Sequence, residues 1–143
     1  PRIMLAEAKR DDGSFVVDAI STDGGCIPRN VILSQGLSLV KLDILSLSEF
    51  AQKTSLNPAR MLRLTTKGHL SVGADADMTI YDYATQEPKA TFVEGRKVLW
   101  DGKVIAKGAT VICTERGKEA IEKRGMKAVV VDPGRQVERV KAL

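Results

Sequence analysis

FVVDAISTDGGCIPRN, residues 15–30, is the stretch on which the rest of the chain hangs. The β-formers Phe15, Val16 and Val17 continue through Ala19, Ile20 and Ser21 and stop at Thr22-Asp23-Gly24-Gly25. An apolar run closed by turn residues predicts a buried strand. Two glycines directly after Asp23 let the backbone turn sharply and let a ligand approach it closely. An acidic residue at the carboxyl end of a buried strand is where α/β barrels carry catalytic groups. Asp before Gly-Gly is also the composition of a plain turn. On these residues alone both readings stand.

Outward from that stretch, toward the N-terminus, Ile3, Met4, Leu5, Ala6 and Ala8 beside Glu7 and Lys9 predict the end of a helix. Arg10-Asp11-Asp12-Gly13 is a polar turn, so helix, turn and strand make an α-to-β step. On the other side, Val31-Ile32-Leu33 and Leu37, Leu39 and Val40, interrupted at Gly36, predict a helix and then a loop. Ser46-Leu47-Ser48-Glu49 fits a capping box. The helix it opens, over 47–54, points Leu47, Phe50 and Ala51 to one side. Asn57-Pro58 predicts a second start, with Asn57 as N-cap and Pro58 at the first helical position. Ala59, Met61, Leu62 and Leu64 form the apolar side of that helix.

At Thr65 the pattern changes to short strands. Met78–Tyr83, 90–93, 96–100 and 103–106 are separated by turn dipeptides, of which Glu94-Gly95 and Asp101-Gly102 are spaced for antiparallel hairpins. Strands this short bury too little to close a core alone and need partner strands. Residues 115–127 predict a charged helix with Ala120, Ile121 and Met126 as its apolar side, and 127–131 one more strand. Asp132-Pro133 opens a final helix that puts Val137, Val140 and Leu143 on one face.

The composition is globular: 43% hydrophobic and 28% charged over 143 residues, enough for one ordinary domain or two small ones. No apolar run has the length a bilayer needs, and the N-terminus lacks a signal-peptide layout. The first residue is Pro1, so the chain is expected to be a piece of something longer. Cys26 and Cys113 fit no paired-ligand spacing and read as reduced thiols of a cytoplasmic protein. The +4 charge is spread along the chain and aromatics are only 4%, which argues against nucleic acid as a partner.

Three pieces in this order resemble the end of an amidohydrolase-superfamily enzyme, in the group with dihydroorotases, D-aminoacylases and isoaspartyl dipeptidases. Ile20-Ser21-Thr22-Asp23-Gly24 is similar to the segment closing the eighth barrel strand. Thr54-Ser55-Leu56-Asn57-Pro58-Ala59-Arg60-Met61-Leu62 is similar to the helix start written T-x-N-P-A-x-x-L. Residues 68–82, GHLSVGADADMTIYD, are similar to G-x-I-x-x-G-x-x-A-D-x-x-x-x-D. The resemblance covers about residues 15–108; the tail from Glu115 onward matches none of it.

The resemblance implies an α/β plus β fold: the last unit of a (β/α)8 metal-dependent hydrolase barrel over 1–64, part of a small β-sandwich over 65–114, and a helical C-terminal extension over 115–143. It implies a hydroxide on one or two divalent metals, zinc foremost, attacking a C–N bond of an amide, N-acyl compound or cyclic imide. The aspartate ending strand eight, here Asp23, would bind metal, take the proton from water and pass it to the leaving nitrogen. Gly24, Gly25, Arg29 and Asn30 follow as candidate substrate contacts, Arg29 because a guanidinium forks onto a carboxylate. Such barrels also carry an H-x-H pair and further histidines, whereas this chain has only His69. One carboxylate cannot hold zinc, which takes three or four ligands. The fragment alone is therefore expected to be inactive and metal-free, and to form oligomers or a complex with the missing barrel portion. His69 reads as a sheet-surface residue, Asp75 and Asp77 as caps and turn formers, and Trp100 as packed in the sheet. Two rivals stand beside the enzyme reading: a homologue without its ligands that serves as an assembly or regulatory partner, and an independent α+β binding module.

Overall fold

A computed structural model describes residues 2–22, 31–106 and 110–132; the helix expected after Asp132 lies outside them. The chain opens with helix α1, Arg2–Glu7. The polar turn follows as expected, with Asp12 accepting from the Ser14 amide at 2.9 Å and the Ser14 hydroxyl at 2.6 Å. Helix α2, Ile32–Lys41, buries Gly36, Leu37 and Val40. Gly36 does not interrupt it. A Cβ there would lie 2.3 Å from the Phe50 ring, so the glycine sits where two helices come closest.

Helix α3, Leu47–Ala51, begins on the predicted capping box. The Glu49 amide donates to the Ser46 hydroxyl at 3.2 Å, and the Ser46 amide donates to the Glu49 carboxylate at 2.8 Å. Of the three residues assigned to its inner side only Phe50 is buried; Leu47 and Ala51 face outward. The helix then widens into a π-helical turn, Gln52–Leu56, and returns to α geometry as α4, Asn57–Met61. The core is small: Phe15, Leu37, Val40, Leu45 and Phe50, with Ile20, Leu33, Leu39, Ile44 and Tyr81 packed on it. Each such side chain removed from water contributes about 1.5–3 kcal/mol.

A four-stranded antiparallel meander follows: β1 Met78–Asp82, β2 Glu87–Val93, β3 Arg96–Trp100 and β4 Lys103–Val104, in that order. Met78 stands opposite Phe92, Thr91 opposite Leu99, and Leu99 opposite Val104. Glu94-Gly95 and Asp101-Gly102 make its tight turns, both residues of each pair having positive φ, as a primed hairpin turn demands. The sheet is tied to α2 where Lys41 Nζ donates to the Ala84 carbonyl at 2.9 Å and Gln86 donates to the Ser38 hydroxyl at 3.2 Å. Trp100 is not packed in the sheet; it is 49% exposed, with Lys97 Nζ 3.8 Å from its ring centre.

A second sheet pairs β5 Thr110–Cys113 in parallel with β6 Lys127–Val130, Val111 opposite Ala128, across helix α5 Glu115–Glu122. That helix is shorter than its charge pattern predicts. Gly125, at φ 70°, turns the chain back into β6. An ion pair from Lys127 to Glu94 links the two sheets. No helix among the described residues is long and apolar enough to cross a membrane.

Candidate functional site

Residues 15–22 form neither a helix nor the predicted buried strand. Among the described residues their one ladder contact is an antiparallel bridge between Lys9 and Phe15. Phe15 is buried, while Val16 and Val17 are 43% and 38% exposed. Backbone outside helix and sheet must still place its polar groups, and here side chains take four successive carbonyls. Arg10 donates to the carbonyls of Phe15 and Val16, Lys53 to that of Val17, and Asn57 to that of Asp18, the last at 2.8 Å. The Val16 amide donates to the Ala8 carbonyl at 2.9 Å and the Ile20 amide to the Lys53 carbonyl at 3.1 Å.

The last of these contacts follows from the sequence of the π-helical turn. Asn57 donates its backbone N–H five residues back, to the Gln52 carbonyl. The next donor in that pattern would be residue 58, and Pro58 has no N–H. The Lys53 carbonyl is thereby left open, and Ile20 fills it. Asn57 is therefore not the N-cap that Asn-Pro predicts: its φ and ψ are −65° and −46°, helical, and its side chain turns inward to Asp18.

Lys53 has zero exposure, and its ammonium sits 4.0 Å from the centre of the Phe15 ring. Burial pushes its pKa below that of an ordinary lysine, opposed by the charges of Asp18 and Glu49. Neither Lys53 nor Asn57 was among the expected functional residues. The signal was present, because Phe50, Lys53 and Asn57 are spaced 3 and 4 apart and share one helix face.

The expected site residues Asp23, Gly24, Gly25, Arg29 and Asn30, and Cys26 beside them, lie outside the described residues. Asp75 and Asp77 are turn-locking groups. Lys67 Nζ lies 2.9 Å from the Asp75 carboxylate and also bonds Asp77, whose other oxygen accepts the Glu94 amide at 2.7 Å. Burial works against the charge on Lys67, but its hydrogen bonds to Asp77 and Asp75 outweigh that and hold its pKa above the ordinary value. Asp75 is held below the usual carboxylate range, first by the Lys67 hydrogen bond and then by that of Thr66. His69 is half-buried; its Nε2 lies 2.9 Å from the Thr65 carbonyl and its Nδ1 faces the Ser71 amide.

Lys67, His69 and Asp77 edge an open, mostly apolar groove of about 1010 Å³, whose walls include Ala59, Leu62, Met78 and Phe92. Its charged groups, Lys67 and Asp77, are paired with each other. Among the described residues no three His, Cys, Asp or Glu side chains converge as a metal would need.

Known proteins resemble the chain over parts of its length. The amidohydrolase family matches residues 2–111. Over 73 residues the chain is 41% identical to one subunit of the formyltransferase/hydrolase complex Fhc of Methylorubrum extorquens, covering 51% of this chain and 13% of that one. Over 48 residues it is 48% identical to a dihydroorotase of Syntrophus aciditrophicus, covering 34% of this chain and 11% of that one. The crystal structure of a beta-aspartyl dipeptidase from Fervidobacterium islandicum superimposes with a TM-score of 0.49 at 21% identity, over 68% of this chain and 28% of that one. The chain thus spans little more than a tenth of the length of these curated relatives.

Proposed function

We propose that this chain, which belongs to the amidohydrolase family, forms the C-terminal end of a metal-dependent enzyme that cleaves amide or cyclic-amide C–N bonds. The observation that carries the reading is a physical link from one of its motifs to the segment just before another. Asn57, from the Asn-Pro-Ala segment, holds the carbonyl of Asp18, on the backbone that leads into Asp23, at 2.8 Å. Residues 1–64 are then the end of a (β/α)8 barrel, 65–114 part of a small β-sandwich and 115–143 a C-terminal extension.

In this reading the Asp23 carboxylate accepts the proton of the attacking water and delivers it to the leaving nitrogen. Gly24 and Gly25 leave room for the substrate backbone, and Arg29 and Asn30 bind its polar end. A divalent metal, zinc in the first instance, would be held in part by Asp23 and would bring the pKa of its bound water near neutrality. Its ligands other than Asp23 come from the portion of the protein that precedes this sequence. The cytoplasmic setting belongs to the same proposal.

One relative favours a second reading. The Methylorubrum protein is by its name part of a formyltransferase/hydrolase complex. This chain exposes Leu70, Val72, Val104 and Ile105, and exposed apolar surface favours association. Membership of a larger assembly, catalytic on an N-formyl amide or only structural, fits these facts. The coding sequence upstream of Pro1 separates the two. An H-x-H pair with two further histidines, and hydrolysis that stops on chelation and returns with metal, support the enzyme. Their joint absence overturns it and leaves the structural role.

A further inference from the structure

A histidine ring can donate a hydrogen bond at one nitrogen and accept one at the other only while it is neutral. His69 is placed to do both. Its Nε2 lies 2.9 Å from the Thr65 carbonyl, which only accepts, and its Nδ1 lies 3.4 Å from the Ser71 amide, which only donates. These partners select one form of the ring: Nε2 carries the proton and Nδ1 keeps its lone pair.

The ring sits where the chain needs a tie. At the neck of this loop the Asp75 amide donates to the Thr66 carbonyl at 2.9 Å, and Lys67 bonds Asp75 and Asp77. Beyond the neck, residues 68–73 form a tip bounded by Gly68 and Gly73, both of positive φ. Leu70 is 73% exposed and Val72 is fully exposed, so these apolar side chains do not pack the tip down. Hydrogen bonds hold it instead: Ala74 N–H to the Ser71 carbonyl at 3.1 Å, and the two bonds of the His69 ring. Lys67 and Asp77 are the charged groups that line the groove with His69, and Lys67 also binds Asp75. Helix α4 and the turn after it add Arg60 and Arg63. Carboxylates, ammonium and guanidinium groups ordinarily hold their charge between about pH 5 and pH 8, whereas an imidazole changes its charge there.

We propose that His69 is a proton-operated latch: the neutral ring ties the 68–73 tip back to Thr65, and a proton on Nδ1 releases Ser71 and frees the tip. The protonated Nδ1 would face the Ser71 amide as one donor against another, with no acceptor between them. Leu70 lines the groove beside His69, so the latch sets how firmly that apolar edge is held. It operates whatever role Asp23 has.

The test uses the full-length protein that carries this sequence, as wild type, His69→Ala and His69→Gln, at about pH 8 and about pH 5. Hydrogen exchange of the peptide covering residues 65–75 is read as a protection factor, which removes the pH dependence of the intrinsic rate. At the higher pH, His69→Ala is expected to exchange about 2- to 10-fold faster than wild type, the equivalent of one hydrogen bond. At the lower pH the two proteins exchange alike. A glutamine side chain does not titrate, so protection in His69→Gln is the same at both. A gap between wild type and His69→Ala of equal size at the two pH values, or none at either, overturns the latch. Acid loosening that persists in His69→Gln overturns it as well. Nitrogen NMR of the wild-type ring, assigned by the signal that His69→Ala lacks, decides independently and needs no variant to be studied in detail. A proton on Nε2 at the higher pH supports the latch, and a proton on Nδ1 there refutes it.

Discussion

Gly68 lies where the loop after α4 passes over the helix that leads into the sheet. Its φ is +81°, and a Cβ built on it would stand 2.5 Å from the backbone oxygen of Ser55 and 2.8 Å from the Cβ of Ala59. Gly68→Ala therefore incurs two separate costs. A left-handed backbone costs an L-residue about 1–2 kcal/mol. Pushing a methyl group into a packed backbone that cannot rotate away costs about 1–3 kcal/mol. The sum, about 2–5 kcal/mol, is a large share of the stability of an ordinary domain, about 5–15 kcal/mol. For a chain of 143 residues, at roughly 3 °C per kcal/mol, the melting midpoint falls by about 6–15 °C. Gly73 supplies the control. Its φ is +91° but nothing lies within 4 Å of its Cβ position, so Gly73→Ala carries only the first cost. Thermal melts followed by far-UV circular dichroism give both midpoints. If Gly68→Ala melts no lower than Gly73→Ala, the close approach of loop to helix is wrong.

Other perturbations test other parts of the fold. Ser46→Ala removes the cap of α3 and lowers stability by about 0.5–2 kcal/mol, read as a shift in the urea midpoint; an unchanged midpoint contradicts the reciprocal bonds of Ser46 and Glu49. The Lys67–Asp75–Asp77 lock gives a pH dependence with a definite sign. The Asp75 pKa is depressed below 3.8 in the folded chain, so its contribution is present above the unfolded value and disappears as pH falls through the folded one. Lys67 is raised above 10.5, so its contribution is present below that value and is lost as pH rises through the folded pKa. The stability gap between wild type and Asp75→Asn should be open near neutrality and close below about pH 4. A gap that stays constant in acid refutes the ion pair. Asp77→Ala removes the partner of both Lys67 and the Glu94 amide and should cost about 1–3 kcal/mol. Hydrogen exchange at the Glu94 amide that matches wild type sinks that claim.

The parts of the fold legible from sequence are those decided locally. Glu94-Gly95 and Asp101-Gly102 placed both tight hairpin turns because two adjacent positive φ values admit few residue pairs. Ser46 and Glu49 marked the start of α3 because both halves of a capping box lie within four residues. The misreadings arose where a distant partner decided the outcome. Asn57-Pro58 has the composition of a helix start, yet the helix runs through it, since the missing N–H of Pro58 frees the Lys53 carbonyl that Ile20, far earlier in the chain, occupies. Val16 and Val17 have strand propensity, but Arg10 and Lys53 take their carbonyls in place of a ladder, and their own side chains stay exposed. The sequence reading passed over Lys53, although it shares a helix face with the buried Phe50. The candidate site was legible only through motif resemblance. Asp23 stands between Thr22 and the glycines Gly24 and Gly25, so its neighbours in sequence say nothing of what else would share its site.

Turnover of the full-length protein with Asp23 replaced by Asn tests the central claim most directly. The substitution keeps size and shape and removes the proposed base. Loss of a positioned proton-transfer group lowers the rate by about 10²–10⁴-fold. The result expected is a fall of that size with bound metal retained and the melting midpoint unchanged. Turnover equal to wild type would contradict the role assigned to Asp23.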